Sequence, residues 1–290
     1  MRPRCAARAR PGRRRLLALL ALAVGLPAAA PARAHEYWLE PSTFAPHAGD
    51  TVTVSAFAGT GFRGERRACA TARVVRLAAF AAGREVRTAP PVDGDSLFLR
   101  APATDGDGML FAYESNAADI ELPPAEFDSY LEEAGLDRVL AARRAGGAAP
   151  GPGREHYARC AKSWIAGRAG SGARSPAGLT LELLPLADPA RARTLAVRAM
   201  FRGAPIAGVL VRAWRRPLGP RATPLPGATR DSVAPAGTAR TDAHGVARLD
   251  TSLPGEWLLS CVHMVPAGEP AAGEWLSWWA SLTFARPDRP

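Results

Sequence analysis

The 290-residue chain holds 37 basic and 27 acidic residues, a formal net charge of +10 with histidine neutral. That sign alone would suit a nucleic acid or an anionic membrane, but eight of the arginines and no acid lie within residues 1–34, so removing that segment leaves only +2. Nucleic acid is thereby excluded as an expected partner, and a composition rich in Ala, Arg, Gly and Pro is left without a binding meaning.

Residues 1–34 combine an arginine-rich start, an apolar run from Leu16 to Ala30 and the small-residue pattern Ala32-Arg33-Ala34. These are the three parts of a secretory signal, with cleavage expected after Ala34. The run is shorter than the ~20 apolar residues of a membrane span, and no later stretch approaches that length, so a chain that does not span the membrane is expected in the periplasm. Arg13-Arg14-Arg15-Leu16-Leu17 also resembles a twin-arginine signal, which leaves the export route open. Cys5 would leave with this segment, and Cys69, Cys160 and Cys261 would remain in an oxidising compartment. No C-x-x-C spacing occurs, which argues against a thioredoxin-type redox site and a cysteine zinc cluster.

The chain beyond His35 reads as mostly β. Asp50–Phe57 alternates β-branched and polar residues, the period of a strand with one buried face. Ala72–Phe80, Ser96–Arg100 and Met109–Glu114 are further candidates, separated by Gly and Pro clusters. From Glu126 to Arg144 the period changes: Phe127, Tyr130, Leu131, Leu136, Val139 and Leu140 recur at helical spacing and predict an interrupted helix. The period of Arg154–Ile165 is ambiguous, and the Gly/Ser/Ala-rich segment 167–178 is the expected linker.

Short strands then follow closely: Leu179–Leu184, Thr194–Phe201, Val209–Trp214, Gly245–Leu249, Trp257–His263 and Trp275–Phe284. The proline-rich segment 219–237 reads as a long exposed loop or a disordered excursion. The expected architecture is two β-sandwich, immunoglobulin- or transthyretin-like domains with a short helical insertion. Residues 35–170 form the first, carrying the insertion near 124–145, and residues 177–290 form the second.

Signal cleavage would leave His35 with a free α-amine beside its imidazole, two nitrogens on one residue that can chelate a transition metal. Their reference pKa values, about 8 and about 6.5, let both deprotonate at neutral pH, and imidazole suits nickel, cobalt, copper or zinc. No two histidines stand at ligand spacing, so folding would have to supply the rest. Alternation from Trp257 puts His263 on one strand face with Leu259 and Cys261, a setting for either a core residue or a ligand. His47 and His244 read as turn residues and His156 as a surface residue. No G-x-S-x-G, phosphate-binding loop or dinucleotide fingerprint is present, so no enzyme is expected. Trp275, Trp278 and Trp279 could stack on a sugar but read better as core.

Several segments together resemble a family of exported bacterial proteins, the domain of unknown function 4198, related to periplasmic components of nickel and cobalt uptake. The resemblance rests on His35-Glu-Tyr-Trp-Leu-Glu-Pro41, Gly61-Phe-Arg-Gly-Glu65, Gly153–Ser163, Gly203–Ala213, Thr241-Asp-Ala-His-Gly245, Gly255-Glu-Trp-Leu258 and Trp278-Trp-Ala-Ser-Leu-Thr-Phe284. Gly203–His263 is also similar to transthyretin-like, carboxypeptidase-regulatory sandwiches. The family implies a periplasmic nickel- or cobalt-binding protein that assists uptake, with His35 and His263 as metal positions, the metal ion as cargo and an inner-membrane transporter as candidate recipient. His47, His156 and His244 fall outside the family pattern. So do Cys69 and Cys160, and that leaves them as the expected disulfide pair, with Cys261 buried and reduced. Two alternatives stand beside this reading: a structural or interaction β-protein without metal, and a copper enzyme using a histidine brace.

Overall fold

The computed structural model describes residues 36–103, 106, 108–145, 151–167, 175–225, 234–268 and 274–288. The signal segment, its cleavage site and His35 lie outside the described residues. All described residues fall within one compact unit, Arg33–Pro290.

The chain is mostly β. The first half runs β1 (Glu36–Pro41), β2 (Thr51–Thr60), β3 (Arg63–Arg67), β4 (Val74–Ala81), β5 (Arg84–Val86), β6 (Leu99–Pro102), β7 (Met109–Ser115) and β8 (Ala118–Leu122). Helices α1 (Pro124–Glu133) and α2 (Asp137–Arg144) come next, then β9 (Gly153–Ile165). The second half holds β10 (Leu181–Pro185), β11 (Thr194–Phe201), β12 (Ala204–Pro205), β13 (Leu210–Arg216), β14 (Leu218–Gly219) and β15 (Thr223–Pro224). It closes with β16 (Ala234–Arg240), β17 (Val246–Asp250), β18 (Gly255–Pro266) and β19 (Glu274–Arg286).

A nine-stranded sheet organises the molecule, in the order β16-β13-β18-β19-β9-β7-β4-β5, with β8 beside β9. Its one parallel junction joins the two halves: β9 runs alongside β19 from Arg154↔Glu274 to Trp164↔Phe284. Both strands are buried along most of their length, which explains the ambiguous period of 154–165: a strand covered on both faces has no polar side to alternate with. Hydrogen bonding does not stop at the expected linker. Arg76 donates from Nε to the Ala177 carbonyl at 2.8 Å, and Glu114 accepts from the Thr180 amide at 2.9 Å, so the chain entering the second half is fastened to strands of the first.

The two faces of this sheet bury different layers. On one, Leu110, Ala112, Cys160, Trp164, Leu259 and Leu282 pack with Leu183, Val197 and Leu249 of a smaller sheet, β10-β11-β12 with β17 beside β11. On the other, Phe111, Tyr113, Ala161 and Ile165 pack with Leu39, Val54 and Leu99 of the sheet formed by β1, β2, β3 and β6. Each fully buried Leu, Val or Phe here contributes about 1.5–3 kcal/mol. Alternation along β7 and β9 decides which face each residue serves.

This parity overturns the expected disulfide. Cys69 belongs to the layer under β1 and β2, and Cys160 to the layer under β10 and β11, on opposite faces of the sheet. Both are free, as is Cys261, and all three are buried.

The helical insertion is present where the period changes. Pro124 opens α1, where its missing N–H is no loss, and Gly135 at φ +67° ends it in the left-handed region. Phe127, Tyr130, Leu131, Val139 and Leu140 are buried against Val262, Met264, Trp275 and Trp279. The insertion thus covers the end of β18–β19 that the first-half sheet leaves bare. A Cβ on Gly153 would stand 2.1 Å from the Phe127 ring, so the strand entering β9 touches α1 through bare backbone. The expected loop 219–237 is interrupted by β14, β15 and the edge strand β16, with residues 226–233 outside the described set.

Candidate functional site

His263 sits on β18 opposite Trp278 of β19. Its ring centroid is 4.5 Å from Phe201, which lies 4.9 Å from Trp278. Arg202, held at φ +51° in the turn after β11, places its guanidinium 5.0 Å from Phe201 and 5.4 Å from Trp278. Burial pushes the His263 pKa down and the Arg202 charge adds to this, so the imidazole is neutral at pH 7. Such a ring has a free electron pair, but the nearby cation opposes a second one. Trp275 and Trp279 are buried in the core, whereas Trp278 is half-buried at the edge of the layer under β11.

One wall of a cavity of about 280 Å³ is formed by Val262, His263 and Met264. Ala207–Leu210, leading into β13, and Gly135–Val139, the α1–α2 turn with the start of α2, also line it. Arg240 ties these walls together: its Nη1 donates to the Gly135 and Gly208 carbonyls at 3.0 and 2.9 Å, and its Nη2 to Asp137 at 2.7 Å.

The described chain begins, one residue after His35, with a buried acid. Glu36 is 2% exposed; its Oε1 accepts from Arg212 at 2.8 Å, and its Oε2 has no hydrogen-bond partner among the described residues. Burial raises its pKa, and Arg212 opposes the rise. Glu155 is a second buried acid, beneath α1, accepting from the Tyr130 hydroxyl at 3.0 Å and from the Ser277 hydroxyl. Its pKa is likewise raised by burial, against the pull of these hydrogen bonds. Neither acid was singled out from sequence. The available signal was a carboxylate at an inward position of a strand: both stand in the segments that carried the family resemblance.

The remaining histidines are scattered. His47 and His244 lie in turns, their amides bonded to Asp50 and Asp242 at 2.9 Å each. His156 contacts Asp119 on the surface, Nδ1 to Oδ1 2.5 Å. Among the described residues no group of three or more His, Cys, Asp or Glu side chains is gathered closely enough to hold a metal ion.

The fold and these sites define a mostly β protein with a short helical insertion and a cavity lined in part by His263. Residues 32–265 match a family described as a domain of unknown function (DUF4198), and the chain belongs to that family. A comparison with curated proteins gives no match. No described helix is long and apolar enough to cross a membrane.

Proposed function

We propose that the chain serves in the periplasm as a non-catalytic, metal-free β-scaffold that binds another macromolecule. One observation carries this: His263, on which a folded metal site would depend, is packed against Phe201, pairs in register with Trp278 and feels the Arg202 charge that sits over both rings. A divalent ion on its ring nitrogen would face that charge in a half-buried setting, where charges are poorly screened. The division into two sandwich-like domains, the second transthyretin-like, belongs to the same proposal. It is supported by the shared core of β10, β11 and β17 with β13, β18 and β19.

Equilibrium dialysis against nickel, cobalt and copper tests the reading, using protein whose chain starts at His35 and a copy carrying one extra residue before it. Equal, weak uptake by both is expected. Stoichiometric uptake that the extra residue abolishes would overturn it.

That second outcome would favour the other reading, a nickel- or cobalt-binding protein that hands its cargo to an inner-membrane transporter. It has its own support: Glu36 Oε2 is a buried acceptor without a partner among the described residues, next in sequence to the amine and imidazole of a processed His35. An added residue turns that amine into an amide and should lower affinity by orders of magnitude, since losing one ligand costs several kcal/mol. His263→Ala then reports whether His263 joins the site.

A further inference from the structure

The cavity beside His263 exists because two paired strands part company. β13 and β18 are in register from Arg216↔Glu256 to Arg212↔Ser260 and no further. β18 nevertheless continues to Pro266, held on its other side by β19 as far as Pro266↔Trp275. Over Cys261–Pro266 the β13 side of β18 therefore has no strand partner among the described residues. Continuing the register would set Leu210 opposite Val262 and Val209 opposite His263. Instead the ladder stops short of them, and all four line the cavity.

The α1–α2 turn holds the wedge open. Leu210 is backed by Gly135, where a Cβ would come within 2.9 Å of the Leu210 Cβ, and Arg240 clamps Gly135, Gly208 and Asp137 together. The opening is part of the built fold and leaves a sheet edge without a strand partner beside a groove. That is the arrangement to which extended peptides add as an extra strand, main chain supplying affinity and flanking pockets selectivity.

Size and charge narrow the occupant. At about 280 Å³ the space falls below the ~300–1,000 Å³ of sites that enclose a whole small ligand, and suits part of a longer chain. Its walls are largely apolar, with Leu136, Val139 and Val262 among them. Asp137 is already paired with Arg240. Arg138, exposed at the same rim, has no ion pair among the described residues, so the groove carries a net positive charge.

We propose that this wedge is a docking site for an extended acidic peptide segment, which pairs with the open edge of β18 and sets a carboxylate against Arg138. The inference rests on the interaction reading above and gives it a surface.

The test uses the chain beginning at His35 and a capped pentapeptide, Val-Glu-Val-Glu-Val, with its lysine analogue as control, followed by calorimetry. Ala207 and Arg138 are exposed, so Ala207→Trp, which fills the mouth, and Arg138→Glu, which reverses the charge, should leave the fold intact by circular dichroism. Saturable binding of the glutamate peptide is expected, weakened about tenfold or more in either variant, with no binding of the lysine peptide to the unmutated chain. Absence of saturable binding at millimolar peptide, or unchanged affinity in Ala207→Trp, would overturn the proposal. Metal uptake by the same preparation separates the two failures: stoichiometric nickel or cobalt sinks the metal-free reading, whereas a silent peptide titration without metal uptake sinks the docking site alone.

Discussion

Arg216 and Glu256 face each other as register partners on β13 and β18, with Arg216 Nε 2.7 Å from Glu256 Oε2 and both side chains at most 3% exposed. The same guanidinium also binds Glu40 of β1 through Nη2. One positive charge therefore serves two carboxyl groups in a buried place, and Glu256 Oε1 has no partner among the described residues.

This arrangement predicts a pH dependence of stability. Burial, helped by Glu40, pushes the Glu256 pKa up to about 8 although Arg216 pulls it down. A carboxyl whose folded pKa lies above its unfolded value contributes stability fully below the unfolded pKa, near 4.5, and loses it as pH rises through 8. Glu256→Gln keeps an acceptor for Arg216 and cannot ionise. Relative to the unmutated chain, the variant should gain urea stability between pH 5 and pH 9. A constant difference across that range would refute the assignment.

Lys162 is the only lysine in the sequence. It is buried at 1% exposure, with Nζ 2.8 Å from Glu182 Oε2. Glu182 also accepts from the Ala177 and Leu179 amides, so the pair fastens the segment before β10 to β9. Burial lowers the Lys162 pKa, and Glu182 restrains the fall. An amine-directed acylating ester should add one group to the folded protein, at the chain's α-amine, and a second only in denaturant, as read by intact mass. Lys162→Met leaves Glu182 without its counter-charge and should destabilise by about 3–5 kcal/mol in urea unfolding.

The cysteines give a count. Cys160 and Cys261 share a row across β9, β19 and β18, each paired with Ala280 between them. Two strand spacings of about 4.8 Å keep them beyond the ~7 Å reach of a disulfide. Burial raises both thiols, Cys261 to about 12. Thiol titration of the chain beginning at His35 should find none reactive when folded and three in denaturant. One thiol would restore a disulfide.

Local pattern carried far in this chain. Thr51-Val-Thr-Val announced β2, and Phe127, Tyr130, Leu131, Val139 and Leu140 announced both helices and their buried face. Each signal depends on contrast between a wet and a dry side within a few residues. Where contrast is missing, the reading weakened. β3, Arg63–Arg67, is exposed throughout, and β16 shows little burial; edge strands of this kind are held by backbone hydrogen bonds that side chains do not advertise.

The candidate site was legible only in part. His263 was placed correctly on a strand face with Leu259 and Cys261, but its neighbours Phe201, Arg202 and Trp278 come from β11, the following turn and β19. Sequence by itself determined the mostly β character, the helical insertion and the alternation of β2 and of Trp257–His263, because periodicity is a property of consecutive residues. Tertiary structure decided that β9 and β19 join the halves in one sheet, that Cys69 and Cys160 lie on opposite faces, and that β13 leaves β18 at Ser260. Those outcomes depend on which distant strands bury each other's faces, and no local period encodes that choice.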